Sequence, residues 1–134
     1  MKVDSKKPME PGISSVITKI KDIGEANIRF IVLYGSAAKG ENTSLSDIDI
    51  AVYHDGDKKE RFDFRVKILG RVSSKFDIQT FQDLPLYIQN EILSTGEVIY
   101  YRDYKDIFNI FMKTIREFED FKPHLELYYS GMGV

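Results

Sequence analysis

The feature that most constrains this chain is a Gly-Ser step between an apolar run and a closely spaced pair of aspartates. The run ends in Leu33-Tyr34-Gly35-Ser36, and after ten further residues the chain reads Asp47-Ile48-Asp49. Side chains alternate between the faces of a β-strand, so we expect Asp47 and Asp49 on one face and Ile48 on the other. Adjacent carboxylates repel each other, and a divalent cation between them removes that penalty. Because Mg²⁺ prefers oxygen ligands and shares them with substrate phosphates, the pattern predicts a metal and nucleotide site.

Composition narrows the class of protein. The 134 residues, 43% hydrophobic and 30% charged, suffice for one domain with its own core. The lack of cysteine excludes disulfides, thiol nucleophiles and cysteine-ligated zinc. A net charge of -2 argues against stable nucleic-acid binding and against anionic membranes, since both favour basic surfaces. No apolar run approaches the roughly 20 residues of a membrane-spanning helix. The N-terminus lacks a signal-peptide core, so we expect a cytoplasmic protein.

Hydrophobic periodicity predicts a single α+β domain, close to α/β in its alternation, with a short mixed central sheet flanked by helices. We expect a flexible lead-in over residues 1–11, the folded domain over 12–122 and a C-terminal tail over 123–134. The predicted strands cover residues 28–34, 47–54, 76–81 and 98–101. The predicted helices cover residues 13–24, 36–40, 58–73, 84–93 and 103–121, the last ending at Lys122-Pro123.

Two of these helices carry apolar stripes that we expect to face the core. In the helix over 58–73 the expected buried residues are Phe62, Val66, Ile68 and Leu69. In the helix over 103–121 they are Phe108, Phe111, Ile115 and Phe118.

A third carboxylate, Asp77, lies inside the predicted strand 76–81. An acidic side chain within a sheet is costly unless it is paired or bound to a metal. If this strand neighbours the one that carries Asp47 and Asp49, the three carboxylates could hold two metal ions, a set suited to in-line displacement. The alternative is an edge-strand residue that faces water.

The Gly-Ser step also has two interpretations. Gly35 lets the backbone approach a ligand closely, and a helix that starts after Ser36 would direct its N–H groups at an anion. Alternatively, Ser36 is an ordinary N-cap, since many helices begin with serine. Lys39 is either a phosphate contact or a solvated surface lysine.

Taken together, Gly35-Ser36, the ten-residue spacer, Asp47-Ile48-Asp49 and the later Asp77 resemble the nucleotidyltransferase superfamily related to DNA polymerase β, and within it the minimal nucleotidyltransferases. The resemblance implies the nucleotidyltransferase fold. It also implies transfer of a nucleoside monophosphate to a hydroxyl, with release of pyrophosphate.

The same resemblance implies roles for individual residues. Gly35 and Ser36 would hold the β- and γ-phosphates of ATP, and Lys39 would meet the triphosphate as a point charge. The catalytic, metal-binding residues would be Asp47, Asp49 and Asp77, which would hold two Mg²⁺ ions. Asp77 would also help to deprotonate the acceptor. One departure is Ala37, where many relatives carry a basic residue.

The short length, the helix at Leu84-Pro85-Leu86 and the strand Gly96-Glu97-Val98-Ile99-Tyr100 further resemble those of stand-alone antitoxins that partner a helical ribonuclease toxin of the HEPN class. This likeness implies transfer of AMP from ATP to a tyrosine of the toxin. The sequence leaves open whether the chain forms a homo- or a hetero-oligomer. Two alternatives remain open. The chain could inhibit its partner by occlusion without catalysis, or it could modify a small molecule in the manner of aminoglycoside nucleotidyltransferases.

Overall fold

The described part of the chain forms five strands and four α-helices. The computed structural model describes residues 2–3, 12–35, 38 and 47–131, and for residues 2–3, 122 and 124–131 it describes the backbone alone. The strands are β1 (Lys2–Val3), β2 (Ile28–Tyr34), β3 (Ile48–His54), β4 (Phe76–Thr80) and β5 (Glu97–Tyr101). The helices are α1 (Ile13–Gly24), α2 (Lys58–Leu69), α3 (Leu86–Thr95) and α4 (Tyr104–Gly131), with short 3-10 turns at Glu25–Asn27 and Phe81–Asp83.

The strands form one mixed sheet in the order β1-β5-β2-β3-β4. The central strand β2 is antiparallel to both β3 and β5, whereas β3 runs parallel to β4 and β1 runs parallel to β5. The predicted α+β class with a mixed central sheet is therefore confirmed. The strand β1 is not predicted, because two residues are too short for a periodic signal.

Each face of the sheet packs against a different pair of helices. Ile31 and Ile50 are buried with α1 and α2, through residues such as Ile20 and Ile68. On the opposite face, Phe30, Val32 and Ala51 are buried with α3 and α4, through Ile92, Leu93 and Ile107. Full burial of one such aliphatic side chain is worth about 1.5–3 kcal/mol, so both layers contribute to stability.

The buried face of α2 differs from the predicted one. Asp57 and Glu60 form a reciprocal capping box at the N-terminus, and the helix ends at Leu69 rather than near residue 73. Phe64 and Ile68 are buried, whereas Phe62 and Val66 are 64% and 56% exposed.

Leu69 is also exposed, so only Ile68 of the four predicted core residues of α2 is correct. Residues four apart share a helix face, and this sequence has two such apolar pairs on different faces. Packing against the sheet, rather than periodicity, selects one of them.

The helix α4 is longer than predicted and buries a different stripe. It continues through Pro123 to Gly131, so the predicted end at Lys122-Pro123 is wrong. Proline removes a single backbone N–H, and Pro123 is exposed, where water can bond the released carbonyl.

The predicted core stripe of α4 is only half correct. Phe108 and Ile115 are 57% and 41% exposed, whereas Ile107 and Thr114 are buried. The other two residues of the predicted stripe, Phe111 and Phe118, are half-buried. The buried face is therefore rotated by about one residue from the predicted one.

Two smaller differences concern the remaining helices. The helix predicted over residues 84–93 begins at Leu86, with Pro85 at the position that precedes it. The predicted helix over residues 36–40 lies outside the described residues, apart from residue 38. Among the helices that the structure describes, none has the length and apolarity needed to cross a membrane.

Candidate active site

The acidic side chains predicted for the site lie together at one end of the strands, near the beginnings of β3 and β4. Because β2 is antiparallel to β3 and β3 is parallel to β4, the end of β2 meets the beginnings of β3 and β4. Tyr34 is the cross-strand partner of Asp49, and Asp49 is the partner of Asp77. Cross-strand partners project from the same face, so these three side chains form a row on the face that packs against α3 and α4. The two acidic strands are therefore neighbours, which is the condition that the three-carboxylate hypothesis required.

Asp47 lies just before β3 and is exposed, whereas Asp49 is half-buried. Burial raises the pKa of Asp49 above its ordinary value, and the negative charges of Asp77 and Asp47 raise it further. Of the ion pairs in the described part of the chain, none involves any of these three aspartates. The three aspartates thus bring like charges together, without a basic partner among the described residues.

The aspartates do not form a closed ligand set as they stand. Within residues 12–35, 38, 47–121 and 123, no group of three acidic or histidine side chains is close enough to enclose a metal ion. The chemistry of the donors nevertheless fits Mg²⁺, because all are carboxylate oxygens and a divalent cation would relieve their mutual repulsion.

Gly35 is fitted closely to this row. Its φ is 69°, in the left-handed region that favours glycine, and a Cβ at this position would lie 2.5 Å from Oδ2 of Asp49. The backbone of Gly35 therefore lies directly against the Asp49 carboxylate. A side chain at this position would collide with that carboxylate, so the close approach requires glycine.

Tyr34 joins the row although the sequence analysis did not propose it. Its side chain is half-buried, and burial raises the pKa of its hydroxyl well above the usual range. The charges of Asp49, Asp77 and Glu91 act in the same direction, and Arg65 opposes them. The hydroxyl therefore stays protonated beside the carboxylates. The sequence feature that could have indicated this role is the position of Tyr34 in the alternating pattern of β2, immediately before Gly35.

Two further contacts at β4 were also missed. The Nε2 of Gln79 donates to Oδ1 of Asp77 at 3.0 Å. The Nε of Arg65 on α2 donates to the carbonyl of Ile78 at 3.0 Å. The sequence placed Gln79 and Asp77 on one face of the strand, but it did not indicate that they bond to each other.

Two predicted nucleotide contacts, Ser36 and Lys39, lie outside the described residues. Their neighbour Ala38 packs against the core layer formed with α1 and α2. His54 lies at the opposite end of β3 from Asp49, where it is buried and its Nδ1 accepts the N–H of Gly56 at 3.0 Å. It therefore belongs to the strand-end turn and not to the acidic row.

Comparison with known proteins identifies the class. Residues 18–105 match the family described as Polymerase beta, Nucleotidyltransferase. The chain belongs to this family, and the predicted membership is confirmed.

One curated relative is named "Putative protein adenylyltransferase MJ1547", from Methanocaldococcus jannaschii. It is 44% identical over 70 residues, which are 52% of this chain and 53% of the relative. The chain therefore matches about half the length of that protein.

Solved structures show the same fold. A toxin–antitoxin complex with AMP-PNP gives a TM-score of 0.71 at 20% identity, covering 91% of this chain and 99% of the matched one. A second solved structure is a tri-AMPylated HEPN toxin of Shewanella oneidensis in complex with MNT antitoxin. It gives a TM-score of 0.66 at 19% identity, covering 90% of this chain and 95% of the matched one. The predicted nucleotidyltransferase fold is confirmed by these similarities.

Proposed function

We propose that this protein is a Mg²⁺-dependent nucleotidyltransferase that moves AMP from ATP to a tyrosine hydroxyl of a HEPN-class toxin and thereby acts as its antitoxin. The observation that carries the proposal is the row of Asp49 and Asp77, without a basic partner among the described residues, beside the left-handed turn at Gly35. The row lies within the span that matches the nucleotidyltransferase family.

Similar proteins support the choice of nucleotide and acceptor. MJ1547 is named for adenylyl transfer to protein, and the S. oneidensis complex pairs an MNT antitoxin with a tri-AMPylated HEPN toxin. Such a pair would work in the cytoplasm, where ATP is available.

Asp47, Asp49 and Asp77 are the residues that would hold Mg²⁺. When bound, the metal supplies neutralisation of phosphate charge and activation of the attacking oxygen. The backbone of Gly35, with Ser36 and Lys39, would bind the β- and γ-phosphates. Because Gly35 lies against Asp49, phosphates bound there would be held beside the carboxylates, and positioning of this kind is the larger part of phosphoryl-transfer catalysis.

The reaction balances without a nucleophile from this chain. The acceptor oxygen bonds to the α-phosphorus, and the bond from that phosphorus to the oxygen that bridges to the β-phosphate breaks. Pyrophosphate leaves with the bonding electron pair. The proton of the acceptor hydroxyl passes to the carboxylate of Asp77 and then to water.

Transfer of label from [α-³²P]ATP to a co-expressed HEPN-class protein tests the proposal. We expect label on a toxin tyrosine in the presence of Mg²⁺, lost in Asp47→Asn and kept in Asp22→Asn, which changes an exposed aspartate of α1. Tight complex formation without label, unchanged by Asp47→Asn, would instead show inhibition by occlusion. Label on an added aminoglycoside but not on protein would show a small-molecule transferase.

A further inference from the structure

The amide of Gln79 contacts Asp77, the third carboxylate of the candidate site. It follows Asp77 by two residues on β4, so both side chains project from the same face. The Nε2 of Gln79 donates to Oδ1 of Asp77 at 3.0 Å. A hydrogen bond to one carboxylate oxygen restricts rotation about the Asp77 side chain and leaves the second oxygen unoccupied by this donor.

The neighbouring strand provides the space for this contact. The cross-strand partner of Gln79 on β3 is Ala51, which is fully buried and has only a methyl side chain. Two residues earlier on β4, the cross-strand partner of Asp77 is Asp49. The Gln79 side chain therefore lies between a small apolar neighbour and an acidic row.

The backbone between the two side chains is anchored from the outer edge of the sheet. The strand β4 is an edge strand, with β3 as its neighbour. The carbonyl of Ile78, which separates Asp77 from Gln79, accepts the Nε of Arg65 from α2 at 3.0 Å. This bond ties the segment that carries both side chains to a helix of the core.

We propose that Gln79 is a positioning residue that orients Asp77 for metal binding and for accepting the proton, an inference that rests on the proposed function. Repulsion from Asp49 favours rotation of the Asp77 carboxylate away from the row. The neutral amide of Gln79 opposes that rotation and does not compete with a bound cation, whereas a lysine or arginine would compete. Partners of this kind around metal ligands typically contribute about 10–100-fold in metal affinity or activity.

Binding of Mn²⁺ in the presence of α,β-methylene-ATP, measured by electron paramagnetic resonance of free Mn²⁺, tests the inference without requiring turnover. We expect Gln79→Met, which preserves length but removes the donor, to weaken Mn²⁺ binding about 10-fold. The matched control is Gln89→Met, which removes an amide that donates to the carbonyl of Leu84 at 3.0 Å, and should bind Mn²⁺ as the wild type does. Gln79→Asn, whose amide is one methylene shorter, should reproduce the loss if Gln79→Met does not fold.

A double-mutant cycle distinguishes positioning from general support of the fold. In an Asp77→Asn background, Gln79→Met should have no further effect on Mn²⁺ binding, because the group that it orients is gone. The inference is overturned by equal losses in both backgrounds, by wild-type affinity in Gln79→Met and Gln79→Asn, or by a wild type that binds no Mn²⁺ with the nucleotide. A wild type that binds Mn²⁺ and the nucleotide but labels no acceptor refutes the proposed function alone.

Discussion

The two ends of β3 carry acidic groups in opposite electrostatic situations. At its beginning, Asp49 lies beside Asp77 and Asp47 and has no ion pair within the described residues. Just after its end, Asp55 accepts a hydrogen bond from Nε of Arg29 at 3.0 Å. The second aspartate at that end, Asp106 of α4, contacts Nη1 of Arg29 at 2.9 Å and Nη2 of Arg102 at 3.5 Å. We call the set Arg29, Asp55, Arg102 and Asp106 the distal cluster.

Burial acts on both ends, but only the distal cluster compensates for it. Burial alone would lower the pKa of Arg29, yet its hydrogen bond to Asp55 and the charge of Asp106 outweigh burial and raise the pKa. At the other end, burial raises the pKa of Asp49 and its neighbours add to the effect. Compensated charges stabilise the fold, whereas uncompensated charges gathered in one place are typical of binding and catalytic sites.

The largest expected effect of breaking this contrast is on activity. Asp49→Asn removes charge from the acidic row, so AMP transfer should fall about 10²–10³-fold, the range for loss of one electrostatic contact to a transition state. The melting temperature should be unchanged or higher, because a repulsive charge is lost. Initial rates of label transfer and thermal unfolding measure the two effects, with Asp22→Asn as the control. A marked loss of stability would mean that Asp49 is a structural residue.

At the distal cluster the same substitution should have the opposite outcome. Asp106→Asn keeps the shape of the side chain but leaves Arg29 and Arg102 without one of their carboxylates. We expect the free energy of unfolding to fall by about 1.5–3 kcal/mol, the range for hydrogen bonds to charged groups. Urea denaturation measures this loss. Label transfer per folded molecule should match the wild type, and a parallel loss of activity would contradict the separation of the two ends.

The glycine beside the acidic row offers a third test. Gly35→Ala places a Cβ in a left-handed conformation and against Oδ2 of Asp49. We expect a loss of about 1–2 kcal/mol in stability, together with weaker binding of α,β-methylene-ATP measured by calorimetry.

Gly70→Ala is the matched control for Gly35→Ala. Gly70 lies at the C-terminus of α2 with φ -76°, and its nearest Cβ contact would be an ordinary 3.5 Å. Its stability and nucleotide affinity should change little. Equal effects at both glycines would show that the close approach of Gly35 to Asp49 has no functional importance.

The sequence predicted the local parts of this architecture better than the non-local ones. The bounds of α1 and β2 agree with prediction, because a strong apolar period and a β-branched run define them without help from the rest of the chain. The placement of Asp49 beside Asp77 could be expected only on condition that β3 and β4 are neighbours. That condition depends on sheet order, which periodicity does not contain.

The misassigned residues share one physical cause. Phe62 and Phe108 are as apolar as their buried neighbours Phe64 and Ile107, so the choice of buried face depends on how each helix meets the sheet. Gln79 was missed for a related reason. Its importance comes from a hydrogen bond to Asp77 and from the small Ala51 on the next strand, and neither is visible in a single segment.

The smallest expected effect concerns pH and sharpens the contrast at the distal end of β3. His54 is buried against Phe64, with ring centroids 5.1 Å apart, and its Nδ1 accepts the N–H of Gly56. Burial lowers the pKa of His54, and Arg61 acts in the same direction, although the charges of Asp55 and Glu60 oppose it.

His54 therefore gains its proton near pH 6.5 in the unfolded chain, but only at a lower pH in the folded protein. The contribution of His54 to stability is complete above about pH 6.5 and declines as the pH falls from there through the lowered pKa of the folded state, by at most about 1.4 kcal/mol per pH unit. His54→Asn keeps an acceptor for Gly56 but cannot titrate. Urea midpoints at pH 7.5 and 5.5 should therefore differ more for the wild type than for His54→Asn. Equal differences would mean that the folded and unfolded states bind the His54 proton alike, and burial of this ring would then not shift its pKa.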